Sequence, residues 1–506
     1  MADGAVCLAP NKNAGDWTNV DESDRQRGDR RRRRVELAGG AEGRMQPWEI
    51  MIMNAALVYS SVPPSKSPEW RSPRPRTQNC NVGSTILVKP IKHAPQEYAP
   101  ELLSHFFPYG TQLGLFLNIP RFKESFFQWK HIGHSSRPAP ALIYATYLWA
   151  IRLSPDERVK QHEHSYLHQA IEESVTILSG SHPDKFLHSI QTEVLLATYF
   201  FTKGNFEEGR HRLSKAVLQV FSFNLHKIRS SDPWEQQPTD DETDQRNPVE
   251  EGEKILGLWT VLALDKLWAI ATTNEPHFKH PTHESVSKVD TPWPPDMEDF
   301  EKNLFPQHVR TAGTIHYFIA GVKTDDSGIS SRAIEAKAAI LWERINFSAR
   351  TCSANAELFS KRFSHLKALL DDVFGSLPSR DPQTIMRIQP AEQALRWSFA
   401  NTILNTAAIQ LHAPFALADD PNSKKEQITA ARAILNMVIA MRGSGREVPH
   451  LNPIIGIAWS EASEVLFKEV EFIRFCDTCG IPYEGDECAI LYLIQQAVSG
   501  FTRLRM

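Results

Sequence analysis

Residues 188–226 carry two runs of side chains at helical spacing, and a single glycine, Gly204, separates the runs. Side chains that recur every three or four residues lie on one face of a helix. On the first predicted helix this face holds Ile190, Val194, Leu195, Thr198 and Tyr199. On the second it holds Phe206, Gly209, Leu213, Ala216, Val217, Val220 and Phe221. The polar residues predicted to lie largely on other faces are Arg210, Arg212, Lys215 and Gln219. Because glycine commonly ends a helix, the pattern predicts a helix, a tight turn and a second helix.

The same spacing recurs along most of the chain after residue 95. The segments that carry it most clearly are 140–154, 253–272, 333–345, 393–412, 423–441, 454–475 and 489–501. We find no β-hairpin signature and no regular alternation of strands and helices. The sequence therefore predicts one all-α domain at 95–506 with ten or more helices. Pro414 should end the helix over 393–412, and Ser423 with Glu426 should form a capping box at the start of the next.

The first 94 residues have a different composition, rich in Pro, Ser and Arg. Such a segment buries too little apolar surface to offset its ordering entropy, so we predict disorder over 1–94. An acidic, Pro-containing surface loop is predicted at 229–250. The basic run consists of Arg30, Arg31, Arg32, Arg33 and Arg34. These arginines are candidates for nuclear import or for non-specific contact with phosphates, and the alternative is a tail that only keeps the chain soluble.

Bulk properties exclude several classes of protein. The formal net charge is −4 over 506 residues, so nothing global attracts the chain to nucleic acid or to membranes. Mean hydropathy is −0.36, and no segment approaches the ~20 apolar residues of a membrane span. Six cysteines in a chain of this length are too few for a disulfide scaffold. We expect a reducing compartment, cytosol or nucleus, and no membrane partner.

Sequence motifs for catalysis are missing. We find no phosphate-binding loop, no GxGxxG turn, no GxSxG elbow and no HExxH pair, so we predict no enzyme and no catalytic residue. Three groups have the residue types of metal ligands without a complete set: His164 with His168; His277 with His280 and His283; Cys476 with Cys479 and Cys488. The first pair is better explained as an exposed helix face, the second group as part of a loop, and the cysteines as packing residues. No metal site is therefore predicted.

Five motifs occur in a fixed order along the chain. The first is the apolar stretch at 102–122. The second, in the predicted helix pair, comprises Gly209, Arg210, Leu213 or Ser214, Ala216, Leu225 and His226. The third comprises Glu253, Lys254, Trp259, Leu264, Asp265 and Lys266. The fourth is the sequence VDTPWP at 289–294, and the fifth is a pair of C-terminal segments at 409–415 and 429–434. In this order, over about 95–460, the chain resembles the middle homology region of fungal zinc-cluster transcription factors.

The resemblance implies an all-helical regulatory domain that restrains or tunes an activator of RNA polymerase II transcription. It implies a nuclear protein that is sometimes responsive to a small-molecule effector. Other proteins are the expected partners, with a second copy of this chain as one alternative, and DNA would be reached through the family's own reader or a partner. The residues that the resemblance singles out are Gly209, Arg210, Leu225, His226, Trp259 and Asp265. One departure lies in the third motif, where the family's usual arginine cluster is reduced to Lys254.

A second departure concerns zinc. The family's DNA reader needs six cysteines within about 30 residues, and a small metal domain gains roughly 10–16 kcal/mol of folding free energy from its metal. Residues 1–95 hold only Cys7 and Cys80. We therefore expect no cofactor in this chain, and zinc only if a six-cysteine cluster is missing from the N-terminus. Either the reader was lost or truncated, or the protein acts through partners.

Two other functions stay open at this point. The first is an α-helical interaction scaffold unrelated to transcription, which an exclusively cytoplasmic location would favour. The second is an enzyme with chemistry buried in a helical bundle, which would need a metal held by residues such as His164 and His168.

Overall fold

The computed structural model describes residues 99–501, apart from 129, 232–246, 280–287, 353–355, 446–451 and 484. The chain divides into two units, Met1–Leu57 and Val58–Met506, and every described residue lies in the second. The prediction of disorder at 1–94 and the arginine run at 30–34 therefore fall outside the described residues.

The described residues form 17 α-helices and three short 3-10 turns, with no strand among them. The first eight helices are α1 (Ala99–Ser104), α2 (Ile119–Phe126), α3 (Pro140–Leu153), α4 (Glu157–Lys160), α5 (Glu163–Thr176), α6 (Lys185–Thr202), α7 (Phe206–Ser222) and α8 (Pro248–Ala271). The other nine are α9 (Met297–Glu301), α10 (Thr314–Ala320), α11 (Ser331–Arg350), α12 (Ala356–Gly375), α13 (Pro382–Met386), α14 (Ala391–Leu417), α15 (Pro421–Gly443), α16 (Ile454–Cys479) and α17 (Glu487–Phe501). The prediction of an all-α fold is confirmed.

Helix α8 joins the two halves of the domain. It contacts α6 and α7 of the N-terminal half and α11 and α16 of the C-terminal half. Nearly every residue from Ile255 to Ile270 is buried, so this helix is apolar around most of its circumference, as a central helix must be. The polar exceptions within its buried surface are Glu253, Asp265 and Lys266, and each of them has a partner described below.

The predicted helix, turn and helix over 188–226 are confirmed. Gly204 has φ +74°, a left-handed conformation that glycine adopts without steric cost, and it ends α6. The Asn205 side chain then accepts a hydrogen bond from the Glu208 N–H at 3.3 Å and caps α7. Helices α6 and α7 form one of the most extensive pairs in the domain.

The predicted faces of α7 need a correction. Arg212 and Gln219 are buried rather than on the outer faces. The Arg212 Nη1 lies 3.5 Å from the buried Glu193 carboxylate, and Gln219 Nε2 donates to Ser189 Oγ at 2.9 Å. Both buried side chains therefore have polar partners on α6, although the Gln219 Oε1 atom accepts no hydrogen bond from a described residue. Phe206, predicted to lie in the apolar stripe, is 36% exposed.

Two boundaries predicted from local signals are wrong. Helix α14 continues through Pro414 to Leu417, because Phe415 packs on Phe363 at 4.8 Å between ring centroids and ties the last turn to α12. Such packing offsets the hydrogen bond that an internal proline removes. Helix α15 is capped by Asp420, whose carboxylate accepts from the Ser423 N–H at 2.8 Å. Ser423 therefore lies inside the first turn and is not the cap.

The ends of the predicted acidic loop are also defined. Residues 229–231 join 311 through an isolated parallel bridge between Ser230 and Thr311, and α8 begins at Pro248. Residues 232–246 lie outside the described part of the chain. Among the helices that the structure describes, none is long and apolar enough to cross a membrane.

Candidate functional site

Leu225 and His226 bind the loop 289–294 through their backbone. Thr291 Oγ1 donates to the Leu225 carbonyl at 2.6 Å. The N–H groups of Asp290 and Thr291 donate to the His226 carbonyl at 2.8 and 3.3 Å. The two motifs are more than sixty residues apart in the chain and form a single buried junction.

Trp259, near the centre of α8, contacts the same loop through its indole ring. Its indole Nε1 donates to the Pro292 carbonyl at 2.7 Å. Its ring stacks on Trp293, with centroids 4.6 Å apart and planes 25° from parallel. A buried indole needs a partner for its N–H, and here the loop backbone supplies that partner.

Asp290 closes the junction. Its carboxylate accepts from the Gly313 N–H at 2.6 Å and from Ser230 Oγ at 2.9 Å, and it lies 3.3 Å from Lys288 Nζ. The Asp290 carbonyl also accepts a short hydrogen bond from Thr311 Oγ1. Three segments that are distant in sequence are therefore tied together at this one aspartate.

Replacing Asp290 with Ala should destabilise the domain by about 1–3 kcal/mol, because the buried Gly313 N–H loses the carboxylate to which it donates. Chemical denaturation of the full chain measures this change. The matched control is Asp325→Ala, since Asp325 is exposed on a nearby loop and its loss should change stability by less than about 0.5 kcal/mol. Equal midpoints for the two variants would contradict the role given to Asp290.

The side chain of His226 is buried as well. Its ring contacts Phe221 at 4.8 Å between centroids. Desolvation lowers the pKa of His226, and the nearby Lys227 charge acts in the same direction. The ring is therefore a neutral packing element at neutral pH, and it holds the chain where α7 ends.

Asp265 anchors a second turn. Its carboxylate accepts from His277 Nδ1 at 2.7 Å and from the Phe278 N–H at 2.9 Å. The neighbouring Lys266 donates to the Phe278 carbonyl at 2.6 Å and pairs with Glu343 of α11 at 3.1 Å. The Asp-Lys pair thus fixes the chain after α8 and links the two halves of the domain.

Gly209 allows α6 and α7 to approach closely. A Cβ atom at this position would lie 2.5 Å from the ring of Phe201, which stacks on Trp268 of α8 at 3.9 Å. Arg210 follows on the half-buried side of α7, where its carbonyl accepts from Ser214 Oγ at 2.8 Å.

Four of the six motif residues therefore bind two loops. Their role in this structure is to hold those loops in position. Leu225, His226 and Trp259 converge on 289–294, and Asp265 binds the turn at 277–278. Sequence reasoning missed Asp290 and Thr291 as the partners of this junction. The VDTPWP motif that contains them was visible, but its contacts were not.

Among the residues that the structure describes, the candidate metal ligands are not brought together at one site. His164 and His168 are exposed on α5, and His277 is bound to Asp265 and to Ser214 Oγ at 2.7 Å. Cys476 is buried, whereas Cys479 and Cys488 are exposed, and all of these thiols are free. His280 and His283 lie outside the described residues. Across the described residues no group of three or more His, Cys, Asp or Glu side chains is placed to hold a metal ion.

Two clefts open on α8. One, of about 50 Å³, lies between α6, α8 and α11 and has Trp259, Thr260 and Arg332 in its walls. The other, of about 120 Å³, lies between α2, the start of α6 and the first turns of α8. The second cleft is the more polar one, with both acidic and basic side chains around it.

These observations define an all-helical domain whose sequence motifs position loops against a central helix. Comparison with protein families matches residues 103–394 to the fungal specific transcription factor domain, more than half of the chain. The chain belongs to this family of transcription regulators, which is not a family of enzymes. Comparisons with curated proteins and with solved structures find no significant match.

Proposed function

We propose that this chain controls RNA polymerase II transcription in the nucleus through its helical domain, which binds protein partners and responds to a small-molecule effector. The observation that carries the proposal is the family match over residues 103–394, a region that includes both loop junctions on α8. A central helix that fixes loops on either side provides a surface for partners and a path by which a bound molecule alters that surface.

The DNA partner is the second part of the proposal. Residues 1–95 contain two cysteines, so promoters are reached through a partner's DNA reader or through a six-cysteine zinc cluster encoded upstream. The chain itself then needs no cofactor. Mapping the 5′ end of the transcript separates these two routes.

Tethering tests the transcriptional role. The full chain fused to a heterologous DNA-binding domain should change the output of a reporter that carries the matching sites. A fusion that carries Leu213→Asp is the control, because Leu213 is 2% exposed and its loss should remove the folded domain. Unchanged output from the folded fusion, at normal protein levels, would overturn the proposal.

Localisation tests the nuclear part. The full chain with a fluorescent tag should accumulate in the nucleus, and alanine at positions 30–34 should reduce that accumulation if the arginines direct import. An exclusively cytoplasmic wild-type protein would favour the alternative of an interaction scaffold.

A further inference from the structure

The cleft of about 120 Å³ beside α8 has charges of both signs around it. The charged or titratable side chains in its walls are Arg121, Arg137, Asp184, His188, Glu250 and Glu253. A dry cavity of ~150 Å³ in another protein holds one benzene molecule, so this volume suits a compound with about as few heavy atoms.

Arg137 is a buried charge at this cleft, and its guanidinium lies 6.0 Å from the centre of the Phe126 ring. The residue is 4% exposed, and its Nη1 donates to the Lys130 carbonyl at 2.8 Å. Its Nε has no hydrogen-bond partner, and within the described residues no carboxylate pairs with the guanidinium. A buried guanidinium without a counter-charge is costly, and its planar fork suits a carboxylate.

The start of α6 adds a second attraction for an anionic group. This helix has 18 residues, and Asp184, its N-cap residue, makes no side-chain hydrogen bond to the first turn. Asp184 and Leu187 both line the cleft, so the positive end of the helix dipole lies at its wall.

The opposite charge is present as well. The Glu253 carboxylate accepts from the Asn118 N–H at 2.8 Å and lies 4.0 Å from Arg121, with only 10% of its side chain exposed. Glu250 pairs with Lys254 at 2.7 Å. Asp184 is exposed, and its carboxylate makes no cap. These acids would repel a plain anion but attract an ammonium group.

We infer that this cleft binds a small zwitterion of amino-acid size. Its carboxylate would lie against Arg137, and its ammonium group would face the carboxylates of Asp184 and Glu253. The inference that this binding regulates transcription rests on the proposed function, whereas the inference that the cleft binds the ligand does not.

Three compounds test which charged group of the ligand is needed for binding. L-alanine carries both groups, propionate lacks the amine, and ethylamine lacks the carboxylate. With a dissociation constant of about 1 mM, L-alanine at about 20 mM should raise the thermal unfolding midpoint of the full chain by roughly 2 °C, and each other compound is used at the same concentration. Propionate and ethylamine should each change the midpoint by less than about 0.5 °C.

Two variants test the assignment of residues. Asp184 is exposed and makes no capping hydrogen bond, so Asp184→Asn should fold normally and lose most of the shift caused by L-alanine. Arg137→Met removes the uncompensated charge and should also lose that shift. Asp325→Asn, at an exposed position away from the cleft, should keep it.

Three outcomes would overturn the inference: no shift with any probe, an equal shift with propionate, or a shift that survives in both cleft variants. Because the measurement involves no transcription, a negative result leaves the tethering test standing. A failed tethering test would likewise leave a measured binding site in place.

Discussion

Replacing Leu213 with Asp should abolish the cooperative unfolding transition of the domain. Leu213 lies on α7 with 2% of its surface exposed, in the face that packs on α6. The substitution loses about 1.5–3 kcal/mol of apolar burial and adds a charge whose desolvation costs several kcal/mol more. Domains of this kind have only about 5–15 kcal/mol in total, so the loss is comparable to the whole stability.

The matched control is Leu218→Asp on the same helix. Leu218 is 65% exposed, so the same chemical change there should alter the free energy of unfolding by less than about 0.5 kcal/mol. Circular dichroism during thermal unfolding of the full chain measures both variants. A cooperative transition of Leu213→Asp at the wild-type midpoint would refute the burial of this face.

Glu193→Gln should cost about 1–3 kcal/mol, since it removes the charge of a buried carboxylate while Arg212 keeps its pair with Glu208 at 2.8 Å. The Glu193 side chain is 1% exposed and that of Arg212 is 8% exposed, with 3.5 Å between their charged atoms. Lys215 Nζ lies 2.6 Å from the same carboxylate. Glutamine keeps the shape of the side chain but leaves the positive charges without their shared partner.

The double variant Glu193→Met with Arg212→Met removes both members of the ion pair, whereas Glu193→Gln removes the charge of only one. Comparing the two shows how much of the destabilisation comes from a charge left without its partner. Because apolar side chains of similar size often replace a buried ion pair at little cost, the double variant should recover much of the stability that Glu193→Gln loses. Glu207→Gln, at an exposed position on α7, serves as the control for the single change. Stability of Glu193→Gln within about 0.5 kcal/mol of wild type would show that the pair is dispensable.

The two predictions concern the same helix pair, and they bear on function through α8. Phe201 of α6 stacks on Trp268 of α8 at 3.9 Å, so a disturbance of α6 and α7 reaches the central helix directly. Variants that unfold this pair are therefore suitable controls for loss of the domain, whereas the cleft variants leave it intact.

The sequence predicted many of the residues that form the candidate site, but it did not predict which residues they contact. The sequence marked Leu225, His226 and Trp259, and the structure shows that all three hold one loop. Their partners lie 33 to 66 residues away in the chain, at Pro292 and Thr291. Spacing within a motif carries no information about such distant pairing.

The sequence by itself determined the all-α class, the α6–α7 pair and the order of the family motifs. These follow from local rules: apolar residues every three or four positions, and a glycine where a helix must end. The burial of Arg212, the continuation of α14 through Pro414 and the burial of Arg137 beside its cleft were decided only by the tertiary structure. A polar side chain on a buried face has the same sequence pattern as one in solvent. Arg212 is stable in its buried position because Glu193 of α6 and Glu208 of its own helix both pair with it.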